Sequence, residues 1–408
     1  MNLEEVKELL EENHQEQLLH FYEELGEQEK EDLLKQIKEL DFSLLKNLSK
    51  KEKAEERGKL EPLQAVEIAE IEEKKKEFQE IGLEAIRNKK VGAVLLAGGQ
   101  GTRLGLDKPK GVLNVGITRK LYLFECLIKN LMEVTKLAQT TVPLYVMTSE
   151  KNHEDTINFF KEHAFFGYPS KDILFFKQQM APSVDYEGKI YLEEKGKISL
   201  SPNGNGGWFS SMANHGILED IHKRGIEWLN VFAVDNVLQR IADPCFLGAT
   251  IQSGCVSGAK VVSKADPEER VGVLCLEDGK PSIVEYYEMT EEMVHSYTKE
   301  GELSYRFGVI LNYLFRVDKL ENIMNKHMPV HIVEKKIPYI DDKGNLVNPQ
   351  KPNGYKFETL VLDMIHELEN CLPYEVVRNY EFAPIKNRIG VDSLESAREL
   401  MKENGIIL

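Results

Sequence analysis

The sequence predicts an α/β protein with a mixed, largely parallel sheet, a helical N-terminal arm and a short C-terminal α+β segment. From residue 91, short apolar runs alternate with helical patterns, as is typical of parallel sheets. Later apolar runs follow one another closely, which favours antiparallel additions. Residues 1–90 are rich in Glu, Lys and Leu at helical spacing and contain few glycines, which predicts amphipathic helices.

The predicted elements follow in order along the chain. The arm ends in the connector "LEPLQAVEIAEIEEKKKEF". A strand "VGAVLLA", a helix "LYLFECLIKNLMEVTKLA", a strand "VPLYVMTS" and a helix "NHEDTINFFKEH" come next. They lead to the strands "WLNVFAVD", "GAKVVSK", "VGVLCLE" and "PSIVEYYE". The C-terminal segment holds a helix "KFETLVLDMIHELEN", a strand "PYEVVR" and a final helix. The predicted boundaries are therefore 1–90, 91–335 and 336–408.

Composition limits the classes of function. The net charge of −16 over 408 residues argues against general binding of nucleic acid or anionic membranes. No stretch reaches the apolar length of a membrane span. The five cysteines are scattered without CxxC spacing, which favours a reduced, cytoplasmic protein without a cysteine metal site.

A glycine-rich segment follows the first predicted strand: "LLAGGQGTRLGLDKPKGVL", residues 95–113. Its glycines do not have the GxGxxG spacing of a dinucleotide site, and Lys110 lacks the context of a GxxxxGK[ST] loop. Glycines after a buried strand allow backbone N–H groups to approach phosphate oxygens. Arg103 and Lys110 add positive charge. The segment therefore predicts a phosphate site, although a structural turn explains the glycines alone.

The segment Leu96-Ala-Gly-Gly-x-Gly-Thr-Arg-Leu-Gly, followed by Pro-Lys-Gly, resembles the signature of UDP-sugar pyrophosphorylases, especially UDP-N-acetylhexosamine pyrophosphorylases. The resemblance runs from about residue 60 to 390. It includes the following motifs in order: "SPNGNGG", "VDN", "GAKVVSK", "VEYYE", "KKIPYIDDKGNLVNPQKPNG" and "EFAPIKN".

This resemblance implies a Rossmann-like nucleotidyltransferase domain at 91–335 and a C-terminal segment that supplies phosphate-binding lysines. It implies the reversible reaction of UTP with a sugar 1-phosphate, most simply N-acetylglucosamine 1-phosphate, to a UDP-sugar and pyrophosphate. The sugar phosphate attacks the α-phosphate in line, so positioning and charge neutralisation provide the catalysis. Mg²⁺ is the implied cofactor, and nucleic acid and membranes are not implied partners.

The resemblance also implies roles for individual residues. Those of the chemical step are Arg103, Lys110 and Lys386. Those of the nucleotide site are Leu96, Ala97, Gly98, Gly99, Gln178, Gly204, Asp235 and Lys356, with Gln178 reading uracil and Asp235 holding the metal. Those of the sugar site are Asn205, Gly272, Glu285, Tyr286 and Val309.

Val309 departs from the family pattern. Hexosamine-specific relatives carry "GNI" followed two residues later by Asn, whereas this chain has "GVILN" at 308–312. Loss of a polar sugar contact changes selectivity strongly. Glucose 1-phosphate or a broad range of sugars therefore stays an alternative, as do a nucleotide-sugar-binding protein without turnover and a scaffold built on the helical arm.

Overall fold

A computed structural model describes residues 2–50, 57–324 and 328–408. The chain forms two compact units. The larger unit comprises described residues 57–178, 208–324 and 362–408, and the smaller unit comprises 2–50, 179–207 and 328–361. Residues 51–56 of the predicted arm and 325–327 of the predicted α/β domain lie outside the described residues.

The helices are given in chain order: α1 (Leu3–Glu12), α2 (Glu27–Glu39), α3 (Ile68–Arg87), α4 (Leu123–Ala138), α5 (His153–Glu162), α6 (Trp208–Asn214), α7 (Ile217–Arg224), α8 (Pro244–Gln252), α9 (Glu291–Val294), α10 (Val317–Met324), α11 (Asp363–Glu367), α12 (Arg378–Glu381) and α13 (Leu394–Glu403). Short 3₁₀ segments occur at Glu16–Leu19, Tyr22–Glu24, Phe42–Lys50, Thr102–Leu104, Lys110–Val112, Ala164–Gly167 and Ser170–Asp172. No helix within these described ranges is long and apolar enough to cross a bilayer.

The strands are β1 (Leu60–Pro62), β2 (Val91–Leu96), β3 (Leu144–Thr148), β4 (Ile173–Lys177), β5 (Met180–Pro182), β6 (Val184–Asp185), β7 (Leu192–Glu194), β8 (Lys197–Ile198), β9 (Leu200–Pro202), β10 (Trp228–Ala233), β11 (Ser257–Ser263), β12 (Val273–Glu277), β13 (Lys280–Val284), β14 (Phe307–Arg316), β15 (His331–Lys335), β16 (Tyr339–Ile340), β17 (Leu346–Val347), β18 (Gly354–Glu358) and β19 (Leu372–Glu375).

The larger unit is built on one mixed sheet. Its main path runs β1-β12-β14-β10-β2-β3-β4, with β11, β13 and β19 attached beside it. The pairs β10–β2, β2–β3 and β3–β4 are parallel, and β14 joins β10 in the antiparallel direction. The later hairpin of β12 and β13 is also antiparallel. The predicted fold class, a mixed and largely parallel α/β sheet, is confirmed.

Apolar sequence explains the parallel core. All six residues of β2 and all five of β3 are buried, as expected for strands covered on both faces. Helices α4 and α5 return the chain so that β2, β3 and β4 run in the same direction. Because β10 lies on the other side of β2, the strand order changes direction there. The carboxyl ends of β2 and β10 thus meet at the position where open α/β sheets bind ligands.

Compactness divides the chain differently from the predicted boundaries. The predicted connector contains β1 and the start of α3, and both belong to the larger unit. Helices α3 and α8 approach closely because both carry glycine at the contact. A Cβ on Gly82 would lie 1.9 Å from the Pro244 oxygen, and one on Gly248 would lie 1.8 Å from the Phe78 oxygen. The boundaries themselves stay a prediction about domains.

The smaller unit joins three distant stretches of chain. Its apolar cluster includes Leu10 and Leu33 from the helices, Ile198 from β8 and Phe357 from β18. Strand β18 pairs with both β15 and β6. The helix predicted from "KFETLVLDMIHELEN" is therefore wrong in its first part, because these pairings place 354–358 in a strand and α11 begins at Asp363.

Candidate active site

The glycine-rich loop leaves the carboxyl end of β2. The Leu96 carbonyl accepts from the Val234 N–H (3.2 Å), and the Ala97 N–H donates to the Met147 oxygen (2.8 Å). The buried Asn152 side chain donates to the Ala97 oxygen (3.0 Å) and accepts from the Ser149 N–H (2.7 Å). The start of the loop is thus fixed to the two neighbouring parallel strands, β3 and β10.

Beyond Ala97 the loop presents open backbone donors. The N–H groups of Gly98, Gly99 and Gln100 donate to no acceptor in the described part of the chain. A Cβ on Gly99 would meet nothing within 4 Å, so the backbone there faces open space. Farther along, Gly101 donates to the Lys108 oxygen (3.1 Å), which closes the loop. This geometry suits an anion that is held by main-chain donors.

Gln178 follows β4 at the same edge of the sheet and packs over Gly98. Its N–H donates to the Thr148 oxygen (2.8 Å), and its side chain is buried. A Cβ on Gly98 would lie 2.7 Å from Gln178 Oε1. Glycine at position 98 therefore leaves room for the carboxamide that is predicted to read uracil.

Asp235 follows β10 and faces the glycine loop. Its Oδ2 lies 3.7 Å from Lys110 Nζ. Burial lowers the pKa of Lys110, the Asp235 carboxylate opposes that change, and the positive charges of Lys386 and Arg103 lower the pKa further. Three predicted cations and one carboxylate therefore share one electrostatic environment. Such a cluster of cations is suited to a polyanionic ligand.

Lys386 reaches this cluster through a strap between distant segments. The Ile385 N–H donates to the Asp235 oxygen (2.9 Å). Buried Asn236 donates to the Glu381 oxygen (2.7 Å) and accepts from the Ala383 N–H (2.9 Å). The segment "APIKN" is therefore fixed along the turn that carries Asp235.

A buried ion triad supports the beginning of that segment. Lys260 is completely buried, and its Nζ lies 2.8 Å from Asp243 Oδ2 and 2.5 Å from Glu381 Oε2. Burial alone would lower the pKa of Lys260, but the two carboxylates outweigh it and raise the pKa. A buried ammonium with two carboxylate partners is strongly destabilised by loss of either one. The triad thus links β11 to the strap that ends at Lys386.

Three of the predicted sugar residues lie together. The Val309 N–H donates to the Gly272 oxygen (2.9 Å). A Cβ on Gly272 would lie 3.5 Å from Val309 Cγ2 and 3.6 Å from Glu285 Oε2. One wall of this place is thus apolar and the other is a carboxylate. Tyr286 is exposed next to it, and the Arg270 guanidinium lies over its ring at 6.0 Å.

The other predicted residues, Gly204, Asn205 and Lys356, belong to the smaller unit. Gly204 has a φ of +85°, and a Cβ there would lie 2.2 Å from the Thr359 oxygen, so local packing already requires glycine. Asn205 Oδ1 accepts from the Val361 N–H (2.9 Å). Its Nδ2 has no acceptor among the described residues and is available to a ligand. Lys356 lies in β18 opposite Val333.

Sequence reasoning missed the residues that hold the ligands in place. Asn152 and Asn236 use their amides entirely for loop geometry. Asn236 directly follows Asp235 in the quoted motif "VDN", which was the available signal. Asn152 stands at the predicted start of a helix and reads as an ordinary cap.

The metal site predicted at Asp235 consists of a single protein carboxylate. The described residues contain no group of three or more His, Cys, Asp or Glu side chains suited to a metal. Mg²⁺ often takes only one or two carboxylates and fills its remaining positions with substrate phosphates and water. The partly exposed Asp235 carboxylate beside a phosphate-type loop fits that arrangement.

Comparison with known proteins identifies a family. A family model described as UTP–glucose-1-phosphate uridylyltransferase matches residues 35–403. The chain is 44% identical over 307 residues to a UDP-N-acetylhexosamine pyrophosphorylase-like protein 1 from Mus musculus, covering 73% of this chain and 61% of the mouse protein. It is 37% identical over 323 residues to a UDP-N-acetylglucosamine pyrophosphorylase from Saccharomyces cerevisiae, covering 76% of this chain and 67% of the yeast protein.

A solved structure has the same fold. The uridine diphosphate N-acetylglucosamine pyrophosphorylase from Trypanosoma brucei, in complex with an inhibitor, superposes with a TM-score of 0.84 at 27% identity. The match covers 96% of this chain and 82% of that one. The chain spans about three fifths of the length of the first curated relatives that it matches, between 60% and 64%.

Proposed function

We propose, from the premise that this chain belongs to the UTP–glucose-1-phosphate uridylyltransferase family, that it transfers uridylyl groups between UTP and a sugar 1-phosphate. The observation that carries the proposal is the cluster of Lys110, Arg103 and Lys386 around Asp235 at the carboxyl ends of β2 and β10. The preferred sugar substrate is N-acetylglucosamine 1-phosphate, as the names of the relatives suggest.

The reaction needs no nucleophile from the protein. An oxygen of the sugar phosphate forms a bond to the α-phosphorus of UTP, and the bond from that phosphorus to the β-phosphate oxygen breaks. Negative charge moves to pyrophosphate, and Lys110, Arg103 and Lys386 neutralise it. The open N–H groups of Gly98 and Gly99 hold the phosphates, and Gln178 binds the uracil edge through its amide.

We propose Mg²⁺ as the cofactor, held by Asp235 together with substrate phosphates. Bound there, it would neutralise and orient phosphate oxygens. Lys110, 3.7 Å from the same carboxylate, stays oriented toward the phosphate loop by that ion pair. We also propose a cytoplasmic location, on the basis of cysteine usage; all five cysteines are free thiols.

A second sugar specificity has one specific observation in its favour. Val309 places an apolar side chain beside Gly272 and Glu285, where the family pattern has an amide. An apolar wall favours a sugar without the polar group that such an amide would bind. Glucose 1-phosphate or a broad range of sugars is the corresponding alternative.

A panel assay tests the proposal. Purified protein is incubated with Mg²⁺, UTP and one of several sugar 1-phosphates, and pyrophosphate release is measured. We expect release with N-acetylglucosamine 1-phosphate, whereas a preference for glucose 1-phosphate would support the alternative specificity. UDP-sugar binding by calorimetry without release for any sugar would instead indicate a binding protein without turnover.

A further inference from the structure

The turn after β13 carries two predicted sugar ligands, Glu285 and Tyr286. It is closed by its own hydrogen bonds. The Glu288 N–H donates to the Glu285 oxygen (2.9 Å), and the Glu285 N–H donates to Glu288 Oε2 (2.9 Å). The carboxylate of Glu288 therefore helps to set the backbone from which Glu285 projects.

Arg57, far away in sequence, holds that carboxylate. Its Nε and Nη2 donate to Glu288 (3.1 and 2.9 Å), and its Nη1 donates to Glu277 Oε2 (2.9 Å). Glu277 also accepts from the Ser282 hydroxyl (2.7 Å) and the Gly58 N–H (3.0 Å). One guanidinium thus joins the β12–β13 hairpin to the turn.

The environment makes these ion pairs stronger than typical surface pairs. The side chains of Arg57, Glu277 and Glu288 are 28%, 14% and 31% exposed. Burial lowers the pKa of Arg57, but the two carboxylates outweigh it and raise the pKa. Burial raises the pKa of Glu277, but the Ser282 hydroxyl, the Gly58 N–H and Arg57 outweigh it and lower the pKa. Charge-assisted, two-pronged contacts of this kind are geometrically specific.

We propose that Arg57 is a positioning residue for the sugar substrate: through Glu288 it sets the turn that places Glu285 beside Gly272 and Val309. Glu285 Oε2 would lie only 3.6 Å from a Cβ on Gly272, so a small shift of the turn changes the shape of this place. The role rests on the proposed uridylyltransferase function. It concerns the sugar and not the triphosphate.

The test compares Arg57→Gln with Arg224→Gln. Arg224 is a matched control because it is also 28% exposed and also joins two carboxylates, Asp172 and Asp220, at 2.8 Å each, while none of these residues is a predicted ligand. In Arg57→Gln we expect KM for N-acetylglucosamine 1-phosphate to rise about 10- to 100-fold, with KM for UTP unchanged. In Arg224→Gln neither KM should change.

Two further variants separate positioning from general stability. Arg57→Lys keeps the charge but loses the fork, so its KM for the sugar should lie between wild type and Arg57→Gln. If Arg57 acts through Glu288, adding Arg57→Gln to Glu288→Gln should raise KM little further. Hydrogen–deuterium exchange should be faster at residues 285–288 in Arg57→Gln and unchanged there in Arg224→Gln.

Equal changes of both KM values, or behaviour of Arg57→Gln like that of Arg224→Gln, would overturn the inference. A wild-type protein without turnover would defeat the proposed function separately. Calorimetry with UDP-N-acetylglucosamine and with UTP then decides the role of Arg57. Weaker binding of the UDP-sugar alone in Arg57→Gln would support it, and any other result would overturn it.

Discussion

The larger and smaller units present their predicted ligands in different ways. In the larger unit, the glycine loop, Gln178 and Asp235 directly follow the parallel strands β2, β4 and β10. In the smaller unit, Gly204 and Asn205 are fixed by residues 359–361, which come from a distant stretch of the chain. Ligands of the first kind depend on strand order in a large sheet, and those of the second kind depend on long-range pairing in a small core.

The largest expected effect is on the smaller unit. Removal of residues 1–50 takes away Leu10, Leu33 and the other helical members of its apolar cluster. We expect pyrophosphate release to fall below detection, because Asn205 and Lys356 lose the core that supports them. Limited proteolysis should then cut within 179–207 and 328–361. Full activity of the truncated protein would contradict this expectation.

A single substitution gives a finer version of that test. Leu33 is completely buried in α2, and Leu33→Ala should lower the free energy of unfolding by about 2–5 kcal/mol. Lys35→Ala on the exposed face of the same helix is the control and should change it little. Equal stabilities of the two variants, measured by urea unfolding, would show that α2 does not build this core.

In the larger unit, Lys110→Ala should lower kcat about 10²- to 10³-fold, because a cation facing the leaving pyrophosphate is lost. The fold should survive without loss of thermal stability. The lowered pKa of Lys110 means that its protonated form is disfavoured by folding at neutral pH, so its removal relieves that cost.

Lys108→Ala is the control for this substitution. Lys108 is exposed in the same loop, and no role is predicted for its side chain. Its kinetics should match those of wild type. Near-normal turnover of Lys110→Ala would remove Lys110 from the mechanism.

Asn205 allows a sharper question in the smaller unit. Asn205→Asp keeps the oxygen that accepts from the Val361 N–H but loses the Nδ2 donor. We expect KM for the sugar 1-phosphate to rise about three- to tenfold, the value of one hydrogen bond, with thermal stability retained. Asn205→Ala should raise KM similarly and also destabilise the protein. An unchanged KM in both variants would exclude Asn205 from the sugar site.

The smallest expected effect is a dependence on pH. The pKa of Lys110 lies below the usual 10.5 in the free protein, and bound triphosphate raises it, so binding takes up a proton. KM for UTP should therefore stay constant at neutral pH and rise as the pH increases through the lowered pKa. The rise should disappear in Lys110→Met. A KM that is independent of pH up to 10.5 in wild type would contradict this assignment.

Prediction from the sequence succeeded where the signal was local. The strands "VGAVLLA" and "WLNVFAVD" and the helix "LYLFECLIKNLMEVTKLA" correspond to β2, β10 and α4. Their apolar patterns alone exclude solvent-exposed alternatives. It failed for residues 356–358, where pairing with β15 and β6 overrides the helical pattern. The predicted ligands themselves came from motifs, and their roles stay predictions.

The sequence by itself determined the phosphate-type loop, because glycine spacing, a preceding apolar run and Lys110 are all local features. Only the tertiary structure decided which distant groups accompany that loop. It set Lys386 beside Asp235 through Asn236 and joined Arg57 to Glu288. The reason is physical: a local pattern fixes backbone conformation and burial. The contacts between remote segments depend on strand order and on hydrogen bonds that only the completed fold can form.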